Sequence, residues 1–269
     1  MINIEPPLIH VSETVSTNQL IRMISNETPL ASGSIVLADF QTAGRGISGS
    51  SWESEAGKNL TFSVIFFPVD VPAGRPFLIS EMVSLSVKYT LDKYIPDVTV
   101  KWPNDIYCED RKITGILIEN TLFQKKITQS IIGIGINVNQ TVFKSDAPNP
   151  VSMAQITGIE LDRMAVLNDF RRVFNEQNER LNNFAVGKTV FDWHVFEEQS
   201  ERLNNRHFDA IHNDYLDALY RKNGFHLYHD KQGVFEAVIR DIEPAGHLLL
   251  ERADGTVSCY DFKEVSFLS

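Results

Sequence analysis

The sequence contains little cysteine and comparatively little positive charge. Its two cysteines, Cys108 and Cys259, are too few and too far apart for a disulfide framework or a pair of zinc ligands, so we expect two reduced thiols. The seven histidines show no metal-binding spacing of the H-E-x-x-H type. With 25 Lys and Arg against 35 Asp and Glu, the formal net charge is −10. This charge argues against non-specific binding to nucleic acid, which requires a basic face.

Long apolar runs and targeting features are also missing. The longest apolar stretches, residues 64–69 and 131–138, are far shorter than the 18 or so residues that a membrane helix requires. The first ten residues include Pro6 and Pro7 and no basic segment followed by an apolar one, so they do not resemble a signal peptide. We therefore expect a cytoplasmic protein that acts on neither nucleic acid nor membranes.

The pattern of apolar residues predicts an α+β fold. Hydrophobic residues make up 43% of the chain, which is enough for a substantial core. Between residues 98 and 138, four short β segments are separated only by turns, which leaves no room for crossover helices and predicts antiparallel neighbours. We expect a central mixed β-sheet flanked by helices, the last of which is predicted over 189–222.

The chain changes character near its end. From Gly224 onward, short β runs alternate with turns at intervals of roughly ten residues, which predicts a small barrel-like β domain. Phe225, Phe235 and Phe262 are expected to fill its interior. We therefore divide the chain into a main domain, residues 1–222, and a small β domain, residues 223–269.

A glycine-rich loop follows the predicted strand 34–40. Gly44, Gly46 and Gly49 satisfy G-x-G-x-x-G, but a dinucleotide site requires the third glycine to open a helix. Here the loop leads into another strand, which excludes that interpretation. Two alternatives remain open for the segment alone: backbone N–H groups and Arg45 cradle an anion, or the loop is a flexible connection with a solvated arginine.

Two further segments carry candidate ligand-binding residues. Lys101-Trp102-Pro103-Asn104-Asp105 takes a strand into a turn, and a second turn places Lys112 shortly before Gly115. The apolar strand 132–138 contains Gly133, Gly135 and Asn137. Glycines inside strands often mark places where a ligand lies close to the sheet, whereas both turns are also common surface structures.

Taken together, these segments resemble one family, the biotin protein ligases. The resembling stretches are STNQ at 16–19, QTAGRG at 41–46, Trp52, KWPNDIY at 101–107, DRKITGILIE at 110–119 and IGIGINVN at 132–139. They occur in the family's order and spacing. The resemblance implies a catalytic domain like that of class II aminoacyl-tRNA synthetases, followed by a small SH3-like β-barrel. Because no winged-helix segment precedes STNQ, we expect the monofunctional class without a DNA-binding domain.

The resemblance also implies an activity. Members of the family join biotin to ATP, form biotinyl-5'-AMP with release of pyrophosphate, and transfer biotin to a lysine of a biotin carboxyl carrier domain. ATP, biotin and Mg²⁺ are the expected small molecules, and a homodimer is a possible assembly. The identity of the acceptor protein and the base that deprotonates its lysine stay open.

Individual residues acquire expected roles from the same resemblance. Lys112 and Arg45 are the expected catalytic cations, placed between the biotin carboxylate and the α-phosphate. The expected biotin-binding residues are Ser16, Thr17, Asn18, Gln41, Gly44, Arg45, Gly46, Ile47, Lys112, Gly115 and Gly133. The expected nucleotide-binding residues are Trp52, Lys101, Asn104, Asp105 and Asn137, and Asp105 is also the expected ligand of Mg²⁺.

The glycine-rich loop departs from the family pattern. The family's loop usually carries several cations, as in G-R-G-R-x-G-R-x-W, whereas this chain has G-R-G-I-S-G-S-S-W. Each lost guanidinium removes charge-assisted bonds worth roughly 1.5–3 kcal/mol. We therefore expect the loop to hold the adenylate loosely, unless Lys58 or Arg75 compensates for the missing charge.

Two other functions fit the sequence less well. One is a ligase or transferase of the same fold that acts on lipoate or octanoate, and the other is a non-catalytic biotin-binding protein with an eroded ligand loop. Biotin-dependent release of pyrophosphate from ATP distinguishes all three.

Overall fold

A seven-stranded mixed sheet forms the larger part of the protein. The structure is a computed structural model that describes residues 5–69, 71–145, 148–182 and 207–268. The strands are β1 (Leu8–Thr14), β2 (Ser34–Gln41), β3 (Leu60–Phe66), β4 (Val98–Lys101), β5 (Asp105–Cys108), β6 (Arg111–Phe123) and β7 (Lys126–Ile136). Their order across the sheet is β1-β2-β3-β7-β6-β5-β4. Strands β1 and β2 pair in parallel and the other pairs are antiparallel, which confirms the mixed sheet and the antiparallel neighbours expected over 98–138.

Helices cover both faces of this sheet. They are α1 (Thr17–Glu27), α2 (Phe77–Leu91), α3 (Met153–Thr157), α4 (Arg163–Asn182) and α5, residues 207–217. Helix α1 joins the parallel strands β1 and β2, while α2 and α4 contact each other on the opposite face. There Phe62 of β3 meets Phe170 of α4 edge to face, with ring centroids 5.1 Å apart. Of the helix predicted over 189–222, residues 189–206 lie outside the described residues.

The two faces of the central strands differ in chemistry. Successive side chains of a strand point to opposite faces. In β7, Ile132, Ile134 and Ile136 belong to the main core under α2 and α4, whereas Ile131 belongs to a small apolar cluster under α1. Gly133 and Gly135 share the face of Ile131. Beyond the small cluster, this face of β7 therefore has no side chains of its own at 133 and 135, and other side chains can lie close to its backbone.

A five-stranded antiparallel sheet follows near the C-terminal end. It contains β8 (His226–Asp230), β9 (Gly233–Ile242), β10 (Leu248–Arg252), β11 (Val257–Tyr260) and β12 (Ser266–Phe267), in the order β11-β10-β9-β8-β12. Phe235 stacks between Tyr228 and Tyr260 inside this sheet, as expected. The expectation is wrong for Phe225 and Phe262, which are 47% and 38% exposed because each lies outside the strands.

The two sheets share one hydrophobic core. Residues of both sheets belong to the same buried cluster. Trp102 follows β4 and donates its indole N–H to the carbonyl of Gly246, between β9 and β10, at 2.8 Å. Phe77 of α2 packs so closely on Gly246 that an added Cβ would lie 2.6 Å from its ring. The division into two domains at residue 222 stays a prediction.

Candidate functional site

A cavity of about 220 Å³ opens on the α1 side of the large sheet. It lies between the start of α1, the loop after β2, and strands β5, β6 and β7, and one corner is formed by Phe262 and Lys263 of the small sheet. The predicted site residues that line it are Ser16, Thr17, Asn18, Gln41, Arg45, Gly46, Ile47, Trp52, Asn104, Asp105, Lys112, Gly115 and Gly133. Segments far apart in the sequence therefore meet around one cavity.

A network of neutral polar side chains forms one end of the cavity. Gln41, at the end of β2, accepts hydrogen bonds from the backbone N–H of Thr17 at 2.7 Å and from its hydroxyl at 3.0 Å. The Ser63 hydroxyl of β3 lies 2.7 Å from Thr17 Oγ1 and 2.6 Å from Asn18 Oδ1. Asn18 donates its amide to Glu119 at 2.9 Å. Each of these side chains is thereby held in one orientation before a ligand arrives.

Glycines form the floor under this network and under Trp52. An added Cβ at Gly133 would lie 2.5 Å from Asn18 Oδ1, and one at Gly135 would lie 2.3 Å from Trp52 Cε2. Gly115 pairs with Gly135 across β6 and β7, and its added Cβ would lie 2.9 Å from the same indole. Any larger residue at these positions would displace the side chain above it. The Trp52 indole N–H is buried and has no hydrogen-bond partner among the described residues.

A lysine and a carboxylate form the other end of the cavity. Lys112 and Asp105 lie on the neighbouring strands β6 and β5, and the Lys112 Nζ is 2.6 Å from Asp105 Oδ1. The same Nζ lies 5.9 Å from the Trp52 ring centroid. Asn104 donates its amide to the carbonyl of Ile116 and thereby ties the turn before β5 to β6. The charged groups thus sit on strands, where the backbone fixes their positions.

The glycine-rich loop folds back over the cavity as a small hairpin. Two backbone hydrogen bonds join its arms: Gly46 donates to the carbonyl of Ser50 at 2.7 Å, and Trp52 donates to that of Gly44 at 3.0 Å. The tip of the hairpin is a 3₁₀ turn at Ile47–Gly49. Arg45 lies in this hairpin, and its guanidinium is 3.0 Å from the side-chain amide of Gln19. The loop therefore brings one cation to the cavity.

The two proposed compensating cations point elsewhere. Lys58 pairs with Glu160 at 3.3 Å, and Arg75 pairs with Asp209 at 3.5 Å. Neither residue lines the cavity, whereas Lys263 of the small sheet does. Sequence reasoning missed Lys263 because it is separated from the other segments by more than a hundred residues.

Three predicted site residues lie outside the cavity wall. Gly44 sits behind it, where an added Cβ would meet the Trp52 carbonyl at 2.6 Å. Asn137 is buried and donates its amide to the carbonyl of Val151 at 3.2 Å. Lys101 donates to the hydroxyl of Tyr107 at 3.0 Å, and burial lowers the pKa of its ammonium. These three residues therefore contact other protein groups around the cavity. Their direct contact with biotin or a nucleotide stays a prediction.

Other residues of the site could have been found from the sequence. Gly135 lies two residues after Gly133 and shares its strand face, which the period of a β-strand predicts. Glu119 ends the DRKITGILIE stretch, and its carboxylate holds both Asn18 and, at 3.0 Å, Arg22. Ser63 gave no signal, because a serine within an apolar strand is also common without any function.

The helices in the described parts of the chain include none long and apolar enough to cross a membrane. Comparison with known proteins identifies the fold. A biotin protein ligase from Aquifex aeolicus, solved in complex with biotin and ATP, matches with a TM-score of 0.69 and 24% identity over 97% of both chains. The likeness shows that this chain has the same fold as that structure.

Sequence comparison points in the same direction. Residues 11–137 match the model of the biotin/lipoate A/B protein ligase family. The bifunctional ligase/repressor BirA of Escherichia coli is 37% identical over 150 residues, 55% of this chain and 46% of BirA. The biotin–[acetyl-CoA-carboxylase] ligase of Mycobacterium tuberculosis is 30% identical over 169 residues, 60% of each chain. These matches confirm the resemblance to the biotin protein ligases, and the chain spans about half the length of the curated relatives it matches.

Proposed function

We propose that this chain is an ATP-dependent biotin protein ligase. It would activate biotin to biotinyl-5'-AMP and then transfer biotin to a lysine of a biotin carboxyl carrier domain. The observation that carries the proposal is a cavity with two chemically different ends, a neutral hydrogen-bonding network around Thr17 and Gln41 and a charged end at Lys112 and Asp105. Biotin has the matching halves, a polar ureido ring and a carboxylate.

The charged end suits the first chemical step. An oxygen of the biotin carboxylate forms a bond to the α-phosphorus of ATP, and the bond from that phosphorus to the bridging oxygen breaks, so that pyrophosphate leaves. Two anions must approach each other, and cations placed where the negative charge accumulates lower that barrier. Lys112 would lie between the carboxylate and the α-phosphate, and Arg45 would supply the second positive charge from the loop.

The neutral end suits the ring. The ureido group offers N–H donors and a carbonyl acceptor, which neutral side chains can match without burying a net charge. Thr17, Asn18 and Gln41 are already fixed by hydrogen bonds to one another and to Ser63. Gly133 allows Asn18 to lie close to the sheet, so the ring would rest against the backbone of β7.

The nucleotide would enter on the side of Trp52. The indole rests on the backbone at Gly115 and Gly135 and can present an aromatic surface to an adenine ring. Its buried indole N–H lacks a partner among the described residues, which a polar group of a ligand would supply. Asn104, in the turn beside Asp105, would help to place the phosphates.

Asp105 fits a limited role in holding Mg²⁺. Of the described residues that line the cavity, it alone carries a carboxylate. Mg²⁺ commonly binds through one or two carboxylates together with phosphate oxygens and water. When bound, the ion would reduce the negative charge on the phosphates. Asp105 would serve both as its ligand and as the residue that positions Lys112.

The second step requires a partner. The amine of an acceptor lysine would attack the acyl carbon of the adenylate. An amide bond then forms between the lysine and biotin, and AMP leaves. The acceptor must reach the cavity past the hairpin 44–52, so we propose that the carrier domain docks at this mouth. A homodimer and a cytoplasmic location are further predictions.

The decisive experiment follows both steps with the purified chain. Pyrophosphate release is measured with ATP and, in separate reactions, biotin, lipoate or octanoate, and the mass of a biotin carboxyl carrier domain is then recorded. Of the three acids, we expect only biotin to cause pyrophosphate release from ATP. The mass of the carrier domain should then increase, and this increase should disappear when the acceptor lysine is replaced by arginine. Activity with lipoate or octanoate instead would identify the related transferase or ligase. Tight biotin binding without pyrophosphate release would identify a non-catalytic binding protein.

A further inference from the structure

A cluster of three metal-binding side chains lies in the small sheet, outside the cavity. Glu243, His247 and Cys259 each offer one ligand atom, and these atoms all lie within 4.8 Å of one another. The His247 Nδ1 is 2.9 Å from Glu243 Oε2, and the Cys259 Sγ is 3.7 Å from the same oxygen. We propose that these three residues form a binding site for a divalent transition metal, with zinc as the best match.

The backbone holds the three side chains together without the metal. Glu243 donates its N–H to the carbonyl of His247 at 2.9 Å, and Gly246 donates to that of Glu243 at 2.7 Å, so the five residues between β9 and β10 form a closed turn. Cys259 lies on β11 directly opposite Leu249 of β10. Two ligands thus come from one tight turn and the third from an adjacent strand. Little conformational freedom is lost on binding when ligands are already in place.

The distances fit a tetrahedral ion. Zn²⁺ binds sulfur at about 2.3 Å and nitrogen or oxygen at about 2.0–2.2 Å, so two of its ligands lie roughly 3.3–3.7 Å apart. The sulfur–oxygen distance here is 3.7 Å, the nitrogen–oxygen distance is 2.9 Å, and all three ligand atoms lie within 4.8 Å of one another, so binding would require adjustments of about 1 Å in the side chains. Three protein ligands leave one position for water or another ligand.

The ligand types select among metals. A thiolate and an imidazole favour zinc and similar transition metals, whereas Ca²⁺ and Mg²⁺ prefer oxygen alone. The nearby carboxylates of Asp261 and Glu264 add negative charge around the Cys259 sulfur, which favours a cation further. The proton of the thiol leaves to solvent when the metal binds.

The proposed site is connected to the wall of the main cavity. Gly246, inside the same turn, accepts the hydrogen bond from Trp102 at 2.8 Å. Trp102 in turn contacts Phe262, with ring centroids 5.4 Å apart, and Phe262 lines the cavity. A metal bound in the turn would therefore stabilise the position of Phe262 at the edge of the cavity.

Metal titration of the full chain tests the proposal. The protein is stripped with a chelator, dialysed and titrated with Zn²⁺ by calorimetry, and Co²⁺ is used in parallel because a thiolate ligand gives it a charge-transfer absorption band. We expect one ion per chain, a thiolate band, and a higher midpoint of thermal unfolding with metal. Cys259→Ser should remove the band and weaken binding at least about tenfold, and Glu243→Gln should weaken it as well.

Controls separate this site from other thiols and histidines. Cys108→Ala should keep the band and the affinity, because this buried cysteine lies in the large sheet. Unfolding of each metal-free variant is compared with that of the wild type, so that a misfolded variant is recognised. Absence of stoichiometric binding, or equal binding by the wild type and Cys259→Ser, would overturn the proposal, since the ion would then bind elsewhere or only adventitiously.

Discussion

Lys112 and Asp105 form an ion pair across neighbouring strands, with Nζ and Oδ1 2.6 Å apart and both side chains about three-quarters buried. The carboxylate holds the ammonium at the charged end of the cavity before any ligand is bound. An arriving carboxylate or phosphate would therefore meet a cation that is already oriented, and little side-chain entropy would be lost at that stage.

Removing this cation should abolish activation of biotin. We expect Lys112→Ala to lower biotin-dependent pyrophosphate release by about 100-fold or more, because two charge-assisted contacts of roughly 1.5–3 kcal/mol each are lost. Lys112→Arg should recover part of the rate. The control is Lys88→Ala, which removes a lysine paired with Asp92 on α2, away from the cavity. Full activity of Lys112→Ala would contradict the proposed mechanism.

Substitutions at the two glycines of β7 that line the cavity should affect the KM values for biotin and ATP differently. Gly133→Ala crowds Asn18, so we expect a higher KM for biotin, whereas Gly135→Ala crowds Trp52 and should raise the KM for ATP. Each effect should reach about tenfold, since an overpacked contact typically costs roughly 1–3 kcal/mol. Gly74→Ala is the matched control, because an added Cβ there meets nothing within 4 Å. Equal effects of both substitutions on both substrates would contradict this assignment.

Restoring a cation to the loop should strengthen retention of the adenylate. Ile47 lines the cavity, and we expect Ile47→Arg to slow dissociation of biotinyl-5'-AMP by about tenfold, the effect of one charge-assisted contact. The dissociation rate is measured by chasing labelled adenylate from the protein. Ile47→Gln is the control for side-chain length without charge. If biotinyl-5'-AMP dissociates from Ile47→Arg at the same rate as from the wild type and from Ile47→Gln, the missing cation has no bearing on retention.

The small sheet should contribute to nucleotide binding through Lys263. This residue lines the cavity from an exposed turn, so we expect Lys263→Met to raise the KM for ATP by about threefold, in keeping with the small energies of exposed ion pairs. The KM for biotin should not change. Lys231→Met removes an exposed lysine in the turn between β8 and β9, which does not line the cavity, and serves as the control. A rise in both KM values would indicate a general disturbance of the site instead.

A half-buried histidine should make stability depend on pH. His212 of α5 lies 2.7 Å from Glu81 and 2.9 Å from Asp241, and the hydrogen bond to Glu81 raises the pKa of its imidazole to about 9. Below about pH 6.5 the ring is protonated in both folded and unfolded chains, so the full stabilisation is present. As the pH rises towards 9 the unfolded chain loses that proton first, and the stabilisation is lost.

The corresponding measurement compares unfolding of the wild type and His212→Gln. We expect a difference in the free energy of unfolding on the order of 3 kcal/mol at pH 6 that shrinks steadily up to pH 9. His226→Gln, a change at the first residue of β8, where the ring contacts the carbonyl of Asn223, serves as the matched control. If the difference in the free energy of unfolding stays constant from pH 6 to 9, protonation of His212 does not contribute to stability.

The charged end of the cavity could be predicted from the sequence because its residues lie close together along the chain. Asp105, Lys112 and Gly115 belong to one hairpin, and an apolar strand with alternating glycines shows which face is open. Two further residues could not be predicted in the same way, because tertiary packing alone brings Ser63 to Thr17 and Asn18, and Lys263 to the cavity wall. For Phe262, the apolar character suggested an interior position, but its place in a turn after β11 directs it to Trp102 instead.

The fold was predictable for a similar reason. Tightly spaced strands between 98 and 138 can only form hairpins, and they do. The contact between the two sheets was not predictable, since it arises from tertiary packing, for example at Gly246, which admits both the Trp102 hydrogen bond and the ring of Phe77.

The continuous core through Trp102, Phe77 and Gly246 has a consequence for the behaviour of the whole chain on heating. Two sheets that bury each other's apolar surface lose that burial together, so unfolding of either one exposes the other. Biotin or ATP bound at the large sheet would then raise the melting temperature of the small one as well. We therefore expect the small sheet to unfold together with the large one, although its sequence pattern sets it apart.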